Sequence, residues 1–474
     1  MAILVHFPDS LKPLLPLLDD LAALLDAGVA VASSDEPFDL AACERVVSAA
    51  CAQIETTLLR TVLQALDRTE PRLWIEGRPH CPVGRHEATY YTLRGPVVVS
   101  RTLYRPLDDR SARTVDPLAL RGAMVARTWL PAAAEALGFL VQQQPARDAA
   151  AAAAQLGALP YHATSFEHVS DALGQDYATY RESIEQTLVR EMPLPDEATG
   201  VVVSLDRVAT PFEEARPRRP GRPRKNAPRR SVQRAWRMSY CATVSLHDAS
   251  GKTLHTLRYG GMPSEDVALL IEGLRDDVNA LLERRPDLRI SLLCDGAAEM
   301  WNVLGKEFNE AELKRPVECL VDLWHLLEKV GKALRERYDG QRASAELHRW
   351  KMRLINQGEA WRKLLAEVMS WGLDRGAGQK CVVHDAVTFL TNQGEAGRLD
   401  YARARQQGRP VGSGVVEATC KSLFNVRLKR GGARWREERA GRLIRLRALA
   451  LSGRWAPAMG LLRGKVAVEV RRVA

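Results

Sequence analysis

Val201-Val-Val-Ser-Leu-Asp206 is a run of β-branched and apolar residues that stops at a carboxylate. A short apolar run with that composition and a polar boundary reads as a strand buried on both faces. Downstream, Tyr240-Cys-Ala-Thr-Val-Ser-Leu246 and the segment from Thr253 to Tyr259 read as two further strands around an Asp-Ala-Ser-Gly turn. A helix follows, capped at Ser264, with Val267, Leu270, Ile271, Leu274, Val278, Leu281 and Leu282 on one face. Ile290-Ser-Leu-Leu-Cys294 is a fourth strand, ending at Asp295-Gly296, and a helix from about Ala297 to Lys306 comes next. Val317-Glu-Cys-Leu-Val321 is a fifth, ending at Asp322 and running into a helix from Leu323 to Arg337.

Three meandering strands, then helix, strand, helix, strand, helix, is the order of a ribonuclease-H-like fold: α/β, with a mixed sheet and helices on its faces. In that order the first strand is central and the fourth is its parallel neighbour, so Asp206 and Asp295 are expected together at the carboxyl edge of the sheet, where open α/β sheets place their sites. Adjacent carboxylates repel unless a cation sits between them, and a hard ion such as Mg²⁺ or Mn²⁺ takes carboxylate and phosphate oxygens. A third acid is available in Gly412-Ser-Gly-Val-Val-Glu417-Ala-Thr-Cys-Lys421, where a glycine turn enters a helix and Lys421 shares the face of Glu417. Asp206, Asp295 and Glu417 are thus expected as catalytic metal ligands for two ions, the arrangement suited to in-line phosphodiester displacement. A single strand-end aspartate is more often a turn residue; three acids at corresponding points argue for chemistry.

The charge distribution supports a polyanionic partner. The chain has 474 residues and a net charge of +10. Ten cations and no acid lie between Arg216 and Arg237, and thirteen cations against three acids between Arg403 and Arg447, so each block alone equals the net charge and the remainder is acidic. Within the first block, Arg218-Arg219-Pro-Gly-Arg222-Pro-Arg224-Lys225 resembles an AT-hook, an extended Gly-Arg-Pro core suited to a narrow minor groove. A basic linker without groove specificity is the other reading. Eight cysteines without a CxxC pair are expected as reduced, mostly buried thiols. His80-Cys81 to His86 offers three ligands at most, short of a structural zinc site. The leucine-rich N-terminal segment carries Asp9, Lys12, Asp19 and Asp20, so neither a signal peptide nor a membrane partner is expected.

Six regions are expected: helices over 1–70; a β-hairpin element over 71–110; a helical 111–195 with a candidate helix-turn-helix and a helix capped at Ser165; the first part of the core over 196–340, with a basic disordered arm at 213–237; a helical insertion over 341–408; and the rest of the core with basic helices over 409–474. Trp324, Trp350, Trp361 and Trp371 are open to two readings, a stacking surface for an unpaired base or plain core.

Asp206, Asp295-Gly296 and the Glu417 block, followed by Arg427-Leu-Lys429-Arg430-Gly-Gly-Ala-Arg-Trp435, resemble the DDE transposases of bacterial insertion sequences, in particular the ISKra type. Asp322-Leu-Trp-His325 resembles the (Cys/Asp)-x-x-His motif of Mutator-like and hAT-like transposases. The resemblance covers about residues 200–450. It implies catalytic roles for Asp206, Asp295 and Glu417 and supporting roles for Asp322 and His325; the AT-hook-like run and the second basic block supply the expected DNA contacts, Arg218, Arg219, Arg222, Arg224, Lys225, Lys421, Arg427, Lys429 and Arg430. It also implies cleavage at element ends, transfer of the 3′-hydroxyl to target duplex DNA, a homodimer or larger synaptic assembly, and a bacterial cytoplasmic, nucleoid-associated setting. The readings set against it are a domesticated, non-cleaving DNA binder and a nuclease without strand transfer.

Overall fold

The computed structural model describes residues 12, 14–32, 39–215, 232–371 and 381–473. The chain divides into two units, one formed by Met1–Arg181 with Ala456–Ala474 and the other by Glu182–Trp455. The division falls inside the helix Ala163–Glu191, earlier than the expected boundary at 195, and the final helix and strand join the first unit instead of the core.

The first unit holds a four-stranded antiparallel sheet. Its strands are β1 (Leu73–Ile75), β2 (Arg78–Tyr91), β3 (Pro96–Pro106) and a late strand, Val470–Arg472, in the order β3-β2-β1 and then the late strand. The expected hairpin is therefore present, and Tyr90, Val97, Val99 and Tyr104 are buried along it. Helix Leu40–Ala65 is long and apolar enough to cross a membrane, with a mean hydropathy of 1.2 over 18 residues. Its last turn packs on protein: Leu63 is buried, and Gln64 exchanges hydrogen bonds with the Ser100 backbone, at 2.8 and 3.1 Å. In the candidate helix-turn-helix region, helix Ala146–Gln155 precedes the 29-residue helix Ala163–Glu191. Ser165 lies inside that helix and does not cap it.

The second unit contains the expected mixed sheet. Its strands are β4 (Gly200–Ala215), β5 (Val232–His247), β6 (Thr253–Gly261), β7 (Arg289–Cys294) and β8 (Val317–Val321), in the order β6-β5-β4-β7-β8. The first three are antiparallel, while β7 runs parallel to β4 and β8 parallel to β7. That is the strand order and direction of the ribonuclease-H-like topology. Gly200 to Leu205 are all buried, as a central strand covered on both faces requires. Helices Val267–Arg284, Ala298–Glu307 and Leu323–Arg337 contribute Ile271, Leu274, Val278, Trp301, Leu304, Leu326, Val330 and Leu334 to the same core. The first of these is capped by Asp266, whose carboxylate accepts from Ala268 N, and not by Ser264.

Two further expectations are corrected here. Residues 213–215 and 232–237, placed in the disordered arm, are paired strand: the β4/β5 ladder runs to Ala215 opposite Val232, and Arg237 is clamped to Glu214 at 2.7 and 2.8 Å. Beyond Val203, β4 has no ladder partner on its other side, so Pro211 loses no sheet hydrogen bond there and the strand continues through it. The arm residues Arg218, Arg219, Arg222, Arg224 and Lys225 lie outside the described residues. The cysteines are free thiols, but only Cys241, Cys294 and Cys420 are buried; Cys43 and Cys51 are exposed.

The insertion is helical, with Gly340–Asn356, Ala360–Met369, Val382–Glu395 and Tyr401–Gln406. Trp350 and Trp361 are core residues, whereas Trp324 is 57% exposed, with the Lys351 ammonium 4.2 Å from its ring centroid.

Candidate active site

The parallel ladders align three aspartates. Val203 pairs with Leu292, and Cys294 with Val321. Counting on by one residue sets Asp295 against Asp322 at the carboxyl ends of β7 and β8, and counting on by three past the last β4/β7 pair brings Asp206 level with them, within β4, which itself runs on to Ala215. The hydrogen bond from Asp322 N to Cys294 O, at 2.7 Å, carries the β7/β8 ladder one step past the strands.

Each aspartate is held differently. Asp206 is half-buried, accepting from its neighbour Arg207 N at 2.6 Å through Oδ1 and from Cys420 Sγ at 3.5 Å through Oδ2. Asp295 accepts from Ala297 N at 2.9 Å. The turn behind it depends on Gly296, whose φ is +94° and whose missing Cβ would lie 2.7 Å from the Phe389 ring. Gln393 Nε2 donates to Gly296 O at 3.1 Å. Phe389 and Gln393 both belong to the insertion helix Val382–Glu395, so the insertion buttresses the Asp295 turn.

Asp322 is fully buried. Its Oδ1 caps the helix Leu323–Arg337 by accepting from Trp324 N (2.5 Å) and His325 N (3.1 Å), and its Oδ2 accepts from Ser413 N. Burial alone would raise its pKa, but the hydrogen bonds from His325 and Ser413 prevail and hold it at about 2. Ser413 immediately precedes the helix Gly414–Thr419, which carries Glu417. His325 Nδ1 is buried with no hydrogen-bond partner among the described residues, 3.6 Å from Asp322 Oδ1 and 3.9 Å from Glu417 Oε1. The Asp322 carboxylate raises the His325 pKa against burial, and Asp295 and Glu417 add to the rise.

Asp322, His325 and Glu417 offer ligand atoms that all lie within 4.8 Å of one another. Two carboxylates and an unpartnered imidazole nitrogen fit a divalent cation. Asp206 and Asp295 stand outside this cluster. Glu417 is therefore brought beside the two residues expected to support it, while the other two expected ligands occupy the adjacent places in the row.

The second basic block divides in two. Lys421 and Arg430 are exposed and Lys429 is half-buried, as residues facing a polyanion would be. Arg427, expected on DNA, is instead 3% exposed, its guanidinium 5.5 Å from the Trp435 ring centroid. Arg409 and Arg447 are also buried, bound to Glu318 at 2.7 Å and to Ser422 O at 2.7 Å. These three cations join segments within the unit and are not free to meet a phosphate.

Three residues that matter here, Ser413, Phe389 and Cys420, were not singled out from sequence. Cys420 alone carried a signal, being three residues beyond Glu417 and so on its face of the helix.

No family model matches the chain, and no curated protein matches it. Among solved structures, the Drosophila P element transposase strand transfer complex is similar at 12% identity and a TM-score of 0.26, over 68% of this chain and 78% of that one. A likeness that distant carries no argument about function.

Proposed function

We propose that this chain cuts and joins DNA strands, as a transposase of the DDE kind found in bacterial insertion sequences. The observation that carries the reading is the row of Asp206, within β4, with Asp295 and Asp322 at the ends of the parallel strands β7 and β8, and the Glu417 helix pinned to the same edge through Ser413. A row of acids at that edge, unpaired with any lysine or arginine among the described residues, suits cation binding better than stability.

In this reading Asp206, Asp295 and Glu417 hold two Mg²⁺ or Mn²⁺ ions, with Asp322 and His325 supporting them. When bound, such ions make a water or 3′-hydroxyl nucleophilic and stabilise the leaving oxygen. Asp322 stays ionised and fixes both its own helix and the loop that delivers Glu417. His325, kept basic by the surrounding acids, presents a nitrogen to the scissile phosphate or to the Glu417 carboxylate. Lys421 and Arg430 take the flanking phosphates of duplex DNA, and the arm from Arg218 to Lys225 adds further contacts. Pairing of two element ends calls for a dimer or larger assembly.

Replacing Asp206, Asp295 or Glu417 singly with alanine is expected to abolish Mg²⁺-dependent cleavage while duplex binding survives. Retained cutting by any of the three overturns the assignment. Cleavage without joining of a 3′-hydroxyl end to target DNA would leave a nuclease in its place.

A further inference from the structure

Cys420 sits where the Glu417 helix changes pitch: Gly414–Thr419 is α-helical and Cys420–Asn425 is a single stretch of π-helix. Such π segments are uncommon and concentrate at functional sites. The cysteine is 7% exposed, and its thiol donates to Asp206 Oδ2 at 3.5 Å. Behind it lies Cys241, the cross-strand partner of Asp206, fully buried and hydrogen-bonded to Cys420. Burial and its hydrogen bond to Cys420 push the Cys241 thiol well up, so it stays protonated beneath the carboxylate.

The contact joins the element carrying Glu417 to the side chain of Asp206 itself. Its chemistry suits a carboxylate that must still bind a cation. An arginine or lysine there would neutralise the aspartate, whereas a thiol is a neutral, weak donor that restricts the rotamer and leaves the charge in place. Partners behind a ligand commonly set its orientation, and their loss costs tenfold or more in metal affinity.

We propose that Cys420 is a positioning residue that orients the Asp206 carboxylate relative to the Glu417 helix; this rests on the reading that Asp206 holds a divalent cation. The test is Mn²⁺ binding to the full chain without DNA, followed by the electron paramagnetic resonance of free Mn²⁺, in wild type, Cys420→Ala, Cys420→Ser and Asp206→Ala. Cys420→Ala is expected to weaken Mn²⁺ binding about tenfold, and Cys420→Ser, which restores a donor, to return it to within about threefold of wild type. The unfolding midpoints of the two variants should agree. Should the alanine variant not fold, Cys420→Val keeps the volume without the donor and takes its place. Equal affinities for the donor and donorless variants overturn the positioning role. If Asp206→Ala binds Mn²⁺ as wild type does, the cation reading itself fails; if Asp206→Ala loses binding and Cys420→Ala does not, only the positioning role fails.

Discussion

Ser413 donates its backbone N–H to the buried Oδ2 of Asp322, across 91 residues of sequence. The whole helical insertion is looped out between the two. The bond therefore sets where the chain re-enters the sheet edge, and with it where the Glu417 helix begins. Asp322→Ala removes this brace and the cap of Leu323–Arg337 together, leaving several backbone donors unsatisfied. A loss of about 2–4 kcal/mol is expected in urea unfolding. A loss below 1 kcal/mol would mean that the loop is held elsewhere.

The same carboxylate gives a pH signature. Its pKa is about 2 when folded against an ordinary 3.8. A depressed carboxylate stabilises the fold above its unfolded pKa, and the contribution disappears as pH falls through the folded value. Wild type should therefore exceed Asp322→Asn by a margin that includes roughly 2 kcal/mol of ionisation above about pH 4 and shrinks towards pH 2. A margin independent of pH would show that the ionised form is not the one being held.

Gly296→Ala meets two obstacles, a left-handed backbone and the Phe389 ring. The double variant Gly296→Ala/Phe389→Ala removes the second and keeps the first. Relative to Phe389→Ala, adding the Gly296 change should still cost about 1–2 kcal/mol; in the presence of the ring the cost should be greater. Additivity of the two substitutions would show that the ring swings aside freely.

Two arginines three residues apart should behave in opposite ways. Arg427→Ala removes a buried cation over Trp435 and should lower the unfolding midpoint. Arg430→Ala removes an exposed one and should lower stability less, while reducing the magnitude of the log–log salt slope of duplex affinity by about 0.9. Reversal of the two outcomes would relocate the DNA face.

Deleting residues 216–230 removes eight cations. The salt slope should flatten by about 0.9 for each phosphate they contact. An unchanged slope would mean that the segment does not touch DNA.

The sheet was readable because β-branched runs bounded by carboxylates leave little choice of element, and the strand order then follows, with β4 parallel to β7. Element ends were less readable. The strand read as stopping at Asp206 in fact continues to Ala215, carried through Pro211 by its pairing with β5 because its outer edge asks nothing of the proline. Local competition misled the helix start: Ser264 and Asp266 are both good cap residues, and it is the Asp266 carboxylate that accepts from Ala268 N. Charge was the least legible quantity. Counting Arg409, Arg427 and Arg447 as surface cations overstated the second block, since burial is a property of packing that no run of letters displays. The juxtaposition of Asp322, His325 and Glu417 was half visible, its first two members as a four-residue motif and its third only through a loop closure spanning the insertion.

The pairing of Val470–Arg472 with Leu73–Ile75 has a consequence for biosynthesis. Domains emerging from the ribosome tend to fold in order of synthesis. Here the Leu73–Ile75 sheet waits, one edge open, while the segment between Ile75 and Val470 is translated. The Glu182–Trp455 unit, by contrast, is complete before that edge strand exists. A nascent chain stalled short of Val470 should therefore expose the free side of β1 to chaperones or to a neighbouring copy, which makes the closing strand a checkpoint that follows synthesis of the Glu182–Trp455 unit.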